Sequence, residues 1–308
     1  MVRRDLLTLI FPSLKNREAI KHFGCKIIYK HKRLNSMPPD QPELISSYVE
    51  FVGFRNRAQA DGIIDLKNRK WLSSSSVLLL AYLKREYSRT VISGRSNAKG
   101  YFDQMTQDPT WWINETKLIL SKWDSCIPFS QLPKEETDFK VLFAKLSDLI
   151  KSHKPNGGEQ AFKYVLGELT DNIYQHSNFE NSYVMCQAYK TKGYVELSFI
   201  DDGISIPGNF EKHKIGFEGD WNAISLAVSG WSTKDDYERG TGLRSSLRIY
   251  CEGAEAEAMI VSRNGIYYKK SQKTQLYRLD DQQKFPGTLI SIRIPMRVDN
   301  IEIYQYTG

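Results

Sequence analysis

The chain has 308 residues, 41% hydrophobic and 12% aromatic, enough apolar material for ordinary cores and, by length, for about two domains. Its formal charge of +7 sits entirely in residues 1–35, where nine Lys/Arg face Asp5 and Glu18, while the remainder carries 34 charges of each sign. Four scattered cysteines without a Cys-x-x-Cys pair argue against a zinc site or a disulfide framework and fit a reducing cytoplasm, and the broken apolar stretch of MVRRDLLTLIFPSL is too short for a signal peptide or a membrane span.

The basic N-terminus has the charge to meet nucleic acid or an acidic partner. It lacks a repeated basic and aromatic pattern, so a solvated face is the simpler reading. Residues 14–23 read as a helix, GCKIIYK as a strand, and MPPDQP as a loop held by prolines. GIIDLKN, residues 62–68, reads as a buried strand, SSSSVLLLAYLKREY as a helix capped by serine, and RTVISGR as the next strand. This alternation predicts a small α/β layer. WWINETKLILSKW predicts another helix, and the Pro128 to Pro133 stretch a linker over residues 128–137. The domain boundaries expected are therefore 1–127, with its basic start, and 138–308.

In AFKYVLGELTDNIYQHS, Glu168, Asn172 and His176 stand four residues apart. Steps of four drift by only about 40° on an α-helix, so the three form one polar stripe beside the apolar Val165, Leu169 and Ile173. A carboxylate, a neutral amide and an imidazole on one face suit a magnesium–nucleotide site, though an ordinary solvated stripe would look the same. YVELSFI, residues 194–200, alternates like a strand and delivers Asp201 into the turn Asp202, Gly203, Ile204, Ser205, Ile206 and Pro207. A carboxylate there can accept from the exocyclic amine of adenine. Gly240, Thr241, Gly242 and Leu243 precede the helical SSLRIYC, where glycines let backbone N–H groups approach phosphate oxygens.

In this order the four motifs resemble those of the GHKL ATPases, the superfamily of gyrase, heat-shock chaperones, histidine kinases and mismatch-repair proteins. The N-box matches Glu168, Asn172 and His176, and the first glycine box matches Asp201 and Gly203, with Ser205 where a second glycine is usual. The second glycine box matches Gly240 to Leu243, and the late Gly-Thr matches Gly287 and Thr288. The resemblance runs from near Asp138 to the C-terminus. It implies ATP and Mg2+ as ligands, Glu168 as general base, Asn172 as the metal ligand, Asp201 as the adenine acceptor with Thr288 helping through water, and a lid over residues 209–239 in which Lys234 reaches the γ-phosphate.

IDLKNRKWLSSSSVLLLAYLKR is similar to the centre of STAS domains. Asp65 and Leu66 match, Ser74 and Ser75 fall on the serine pair that some GHKL kinases phosphorylate, and Ser73 and Ser76 replace the usual Asp and Gly. Four serines that merely cap a helix are the plainer alternative. The expected fold is α+β, a GHKL α/β sandwich with a mixed sheet covered by helices, preceded by a smaller STAS-like α/β domain. The expected function is an ATP-binding regulatory switch in the cytoplasm, with kinase or slow ATPase activity and a protein partner or a second copy of the chain. The alternatives are a binding-only ATP sensor and a dimeric ATPase clamp. A histidine kinase is less expected, because His153 sits near a helix end without the usual following acid. The lack of a P-loop sets aside that nucleotide fold.

Overall fold

A computed structural model of the chain describes residues 32–33, 41–112, 124–230, 242–296 and 301–306. Its centre is an eight-stranded sheet built from β1 (Lys32–Arg33), β4 (Cys126–Gln131), β5 (Ser182–Tyr189), β6 (Tyr194–Asp201), β7 (Glu257–Arg263), β8 (Gly265–Lys270), β9 (Lys273–Arg278) and β10 (Phe285–Pro295). The spatial order is β1-β9-β8-β7-β10-β6-β5-β4. Every neighbour pair is antiparallel except β1 with β9, so the sheet is mixed through that one parallel pair. A separate parallel pair joins β2 (Ile63–Asp65) to β3 (Val91–Ser93).

An antiparallel sheet commonly leaves one face to water; here both are covered. One face packs Val195, Leu197, Phe199, Ile290 and Ile292 against α4 (Lys140–His153), α5 (Gly158–Asn172), α7 (Asp220–Val228) and α8 (Gly242–Leu247). The opposite face packs Met185, Ile200, Met259, Val261 and Leu289 in one core with α1 (Glu43–Asp61), α2 (Ser74–Glu86) and α3 (Asn97–Met105). The central strands are apolar at nearly every position because both sides of their pleat are buried. Among the described residues no helix is long and apolar enough to cross a membrane.

The alternation in YVELSFI therefore has a different meaning from inside-outside patterning. Glu196 and Ser198 point away from α5, yet both are 0% exposed, because α1 and α2 lie over them. Ser198 donates to Ser291 at 2.9 Å. Glu196 Oε1 accepts from the Ser75 backbone N–H at 2.7 Å and from the Ser74 hydroxyl at 2.8 Å, while Oε2 accepts from Arg293 Nε at 2.5 Å. The carboxylate thus sits on the N-terminus of α2, where unpaired N–H groups and the helix dipole favour negative charge. Arg293 goes on to Glu43 of α1 at 2.7 Å. Burial works against its charge, and Glu196 leads the neighbours that raise its pKa on balance.

Two expectations are corrected by this packing. Residues 126–131 are an edge strand paired with β5, not the start of a linker over 128–137. The prolines mislead because Pro128 falls in the irregular step of that pairing between Ile127 and Ser130, where a missing N–H is tolerated. The region before it is a layer on the shared sheet, with one core running from Leu44 through Leu80 to Leu289. The four serines do cap a helix: Ser73 Oγ accepts from the Ser76 N–H at 3.1 Å. Ser74 and Ser75 are fully buried at the Glu196 contact, so neither is presented to a kinase in this conformation. The helix read over 14–23, the strand at 24–30 and most of WWINETKLILSKW lie outside the described residues.

Breaking a buried ion pair strands its partner, so Glu196→Ala lowers the unfolding free energy by about 3–5 kcal/mol, measured by urea denaturation. Adding Arg293→Met restores part of the loss, since the buried Nε no longer lacks its partner, although the Glu43 pairing goes with it.

Candidate functional site

Asp201 ends β6 directly opposite Thr288 of β10, and the alternation of both strands turns the two side chains toward the α5 layer. Its carboxyl is 4% exposed. Among the described residues its one hydrogen bond is from the Gly203 N–H to Oδ1 at 3.0 Å, which leaves Oδ2 uncommitted. Burial pushes the Asp201 pKa up to about 7, with the Asp202 charge adding and the Gly203 N–H opposing. Asp202 does something else: it accepts from the Glu180 N–H at 2.8 Å, the Asn181 N–H at 2.7 Å and Asn181 Nδ2 at 2.9 Å, fixing the preceding turn.

Backbone close approach shapes this end of the site. A Cβ on Gly203 would run into the Ser177 carbonyl, and one on Gly287 into the Asp201 carbonyl. The Ile204 N–H donates to that same Ser177 oxygen at 2.7 Å, so the Asp201 turn is stapled to the end of the α5 segment. Ser205, which stands where the resembled motif has a second glycine, has φ 69° and ψ 162°, a region that is essentially reserved for glycine. The glycine-like backbone is thus kept although the side chain differs. Ser205 Oγ compensates by accepting from the Gly208 N–H at 3.1 Å, as N-cap of α6 (Ile206–Lys212).

Ser262 on β7 was not singled out by the sequence. Its hydroxyl donates to the Gly287 carbonyl at 3.0 Å, accepts from the Ile206 N–H at 3.1 Å and lies 3.2 Å from the Thr288 hydroxyl. It joins the turn after Asp201 to the Gly287–Thr288 stretch of β10. A serine directly after the apolar run AMIV of β7 was the available signal.

Glu168 and Asn172 share a face of α5, as the spacing predicts. Asn172 Nδ2 donates to the Glu168 carbonyl at 2.6 Å, which orients its amide and leaves its oxygen as the remaining acceptor. Gly242, the first residue of α8, lies against the Glu168 side chain so closely that a Cβ would collide with the carboxylate. Tyr164, one turn before Glu168, is also part of this cluster, close to Ser245 and Glu168: its pKa is raised by burial first and then by the Glu168 charge. A Tyr four residues before a Glu on a helix is the pattern that would have revealed it. Leu243 packs half-buried on the core beside Gly242.

His176 does not continue the stripe. α5 ends at Asn172 and residues Ile173–Ser177 form a π-turn, whose wider winding rotates the fourth residue away from the line of Glu168 and Asn172. His176 instead lines a cavity of about 310 Å³ with Asn209, Lys212 and His213. Within the stretch 209–239, where the resemblance implies a lid, Trp221, Ile224 and Val228 of α7 are core residues. Lys234, Gly240 and Thr241 lie outside the described residues. Among the described residues no group of three or more His, Cys, Asp and Glu is arranged to hold a metal.

No protein-family model matches this chain, and no curated protein matches it in sequence.

Ser205→Ala, which keeps the strained backbone and loses the cap, costs about 1 kcal/mol, whereas Ser205→Gly is neutral or stabilising; urea melts of the two check the order. The raised Asp201 pKa favours the protonated folded state, so its contribution is full below the ordinary aspartate range and is lost as pH rises to about 7. Asp201→Asn is accordingly the more stable protein at pH 8, by up to about 4 kcal/mol, with the gap closing toward acid pH. A denaturation series from pH 4.5 to 8 reads this directly.

Proposed function

We propose that this chain is an ATP-binding regulatory switch of GHKL type, with Mg2+-dependent protein kinase or slow ATPase activity and a STAS-like N-terminal part. The observation that carries the reading is Asp201: a buried carboxyl on a strand end, with one oxygen uncommitted, between two glycines whose close approach admits no side chain. Its uncommitted oxygen is suited to the exocyclic amine of adenine, and Thr288, its cross-strand partner, offers a hydroxyl to order water. Ser205 supports the same reading, because its backbone holds the conformation that the glycine of the family motif would adopt.

At the other end, the Asn172 oxygen is the group to hold magnesium, and the start of α8 at Gly242 adjoins Glu168. Glu168 orients and deprotonates the attacking hydroxyl or water, and positioning with charge neutralisation supplies most of the rate. Magnesium, if held at the Asn172 oxygen, would supply charge neutralisation at the phosphates. The STAS-like part is supported by a strand ending at Asp65, a serine-capped helix beginning at Ser74, and the parallel strand β3 that follows. Cytoplasmic location and a protein partner belong to the same proposal. A binding-only sensor is the second reading, since Tyr164 lies beside Glu168.

Asp201→Asn weakens ATP binding by about 1.5–3 kcal/mol in calorimetry while raising stability at pH 8; unchanged affinity removes Asp201 as the adenine acceptor. Asn172→Ala abolishes the magnesium dependence of binding. With γ-labelled ATP, label on protein marks a kinase, free phosphate an ATPase and neither a sensor, and Glu168→Ala keeps ATP bound while stopping any turnover.

A further inference from the structure

Three successive carbonyls in the turn before β10 are held by side chains of α1. Arg55, 7% exposed, donates from Nη1 to the Lys284 carbonyl at 2.6 Å and from Nη2 to the Gln282 carbonyl at 2.5 Å. The Tyr48 hydroxyl donates to the Gln283 carbonyl between them at 2.6 Å. The next residue, Phe285, is fully buried, with its ring 6.2 Å from Phe51 of α1 and 5.4 Å from Tyr82 of α2. A planar guanidinium with two donors fixes both direction and distance, and the charge strengthens each bond.

This grip falls where the sheet itself is weakest. The pairing of β10 with β7 is irregular between Phe285 and Thr288, so the regular ladder does not determine where this stretch lies. The stretch contains Gly287, whose Cα abuts the Asp201 carbonyl, and it leads into Thr288, the cross-strand partner of Asp201. On one side it is held by Ser262, and on the other by α1.

We infer that Arg55 is a positioning residue for the nucleotide site: from the far face of the sheet it sets residues 282–288, so that docking of α1 controls the affinity at Asp201 and Thr288. The inference rests on the nucleotide reading above. It supplies the switch with a physical link, because binding energies couple reciprocally: if α1 tightens the nucleotide site, nucleotide must tighten α1.

The test measures ATP affinity by calorimetry and amide hydrogen exchange over residues 43–61, with and without saturating ATP and magnesium, in wild type, Arg55→Gln and Tyr48→Phe. Saturation is expected to slow exchange across α1 in the wild type. Arg55→Gln is expected to raise the ATP Kd about tenfold and to lose that slowing, with Tyr48→Phe intermediate. A purely structural Arg55 would leave the effect of ATP on α1 exchange intact. Wild type that binds ATP without slowing α1 exchange, or Arg55→Gln with unaltered Kd, overturns the inference and leaves the nucleotide reading standing. Wild type that binds no ATP removes both. Should Arg55→Gln fail to fold, Tyr48→Phe decides, since it deletes one hydroxyl and keeps the ring packing.

Discussion

Glu196 is a carboxylate with no access to water, and the arrangement of both layers follows from satisfying it. Its two oxygens are met by the first turn of α2 on one side and by Arg293 on the other, and Arg293 in turn reaches Glu43 at the start of α1. A buried charge left without these partners would be severely destabilising. The pair therefore specifies where the helices dock rather than how firmly: apolar contacts such as Leu79, Leu80 and Leu289 supply the burial, while the charge admits one register.

That docking gives the sheet two covered faces with separate duties. On one, α5 and α8 bring Glu168, Asn172 and Gly242 together, and the ends of β6 and β10 bring Asp201 and Thr288. On the other, α1 grips the turn that leads into β10. The candidate site and the N-terminal layer meet through the same strand from opposite sides. A rearrangement of either must be felt by the other, because packed interfaces have few intermediate arrangements.

The site itself is assembled from local features that the fold tolerates at a cost. Ser205 occupies a backbone region suited to glycine, and Asp201 is held where its charge is disfavoured. Groups kept in such states are more common where ligands bind than in the body of a core. Gly203 and Gly287 serve the same end by letting backbone come where a Cβ would not fit.

Much of this was legible in the amino-acid order. The pairing of Glu168 with Asn172 follows from a helical period, the strand that ends in Asp201 from its apolar run, and the cap at Ser73 from a serine before a periodic segment; each depends on neighbours within a turn or a strand. What lay beyond sequence depended on contacts between distant segments. Residues 128–131 looked like part of a linker because their partner, β5, lies far along the chain, and nothing near Glu196 in sequence announces the helices from residues 43–86 that bury it. The π-turn that redirects His176 leaves no mark in a four-residue spacing. Local propensity and periodicity determined which segments form elements and which residues share a face; the tertiary structure alone decided what covers each face, because burial is a property of the partner that packs there.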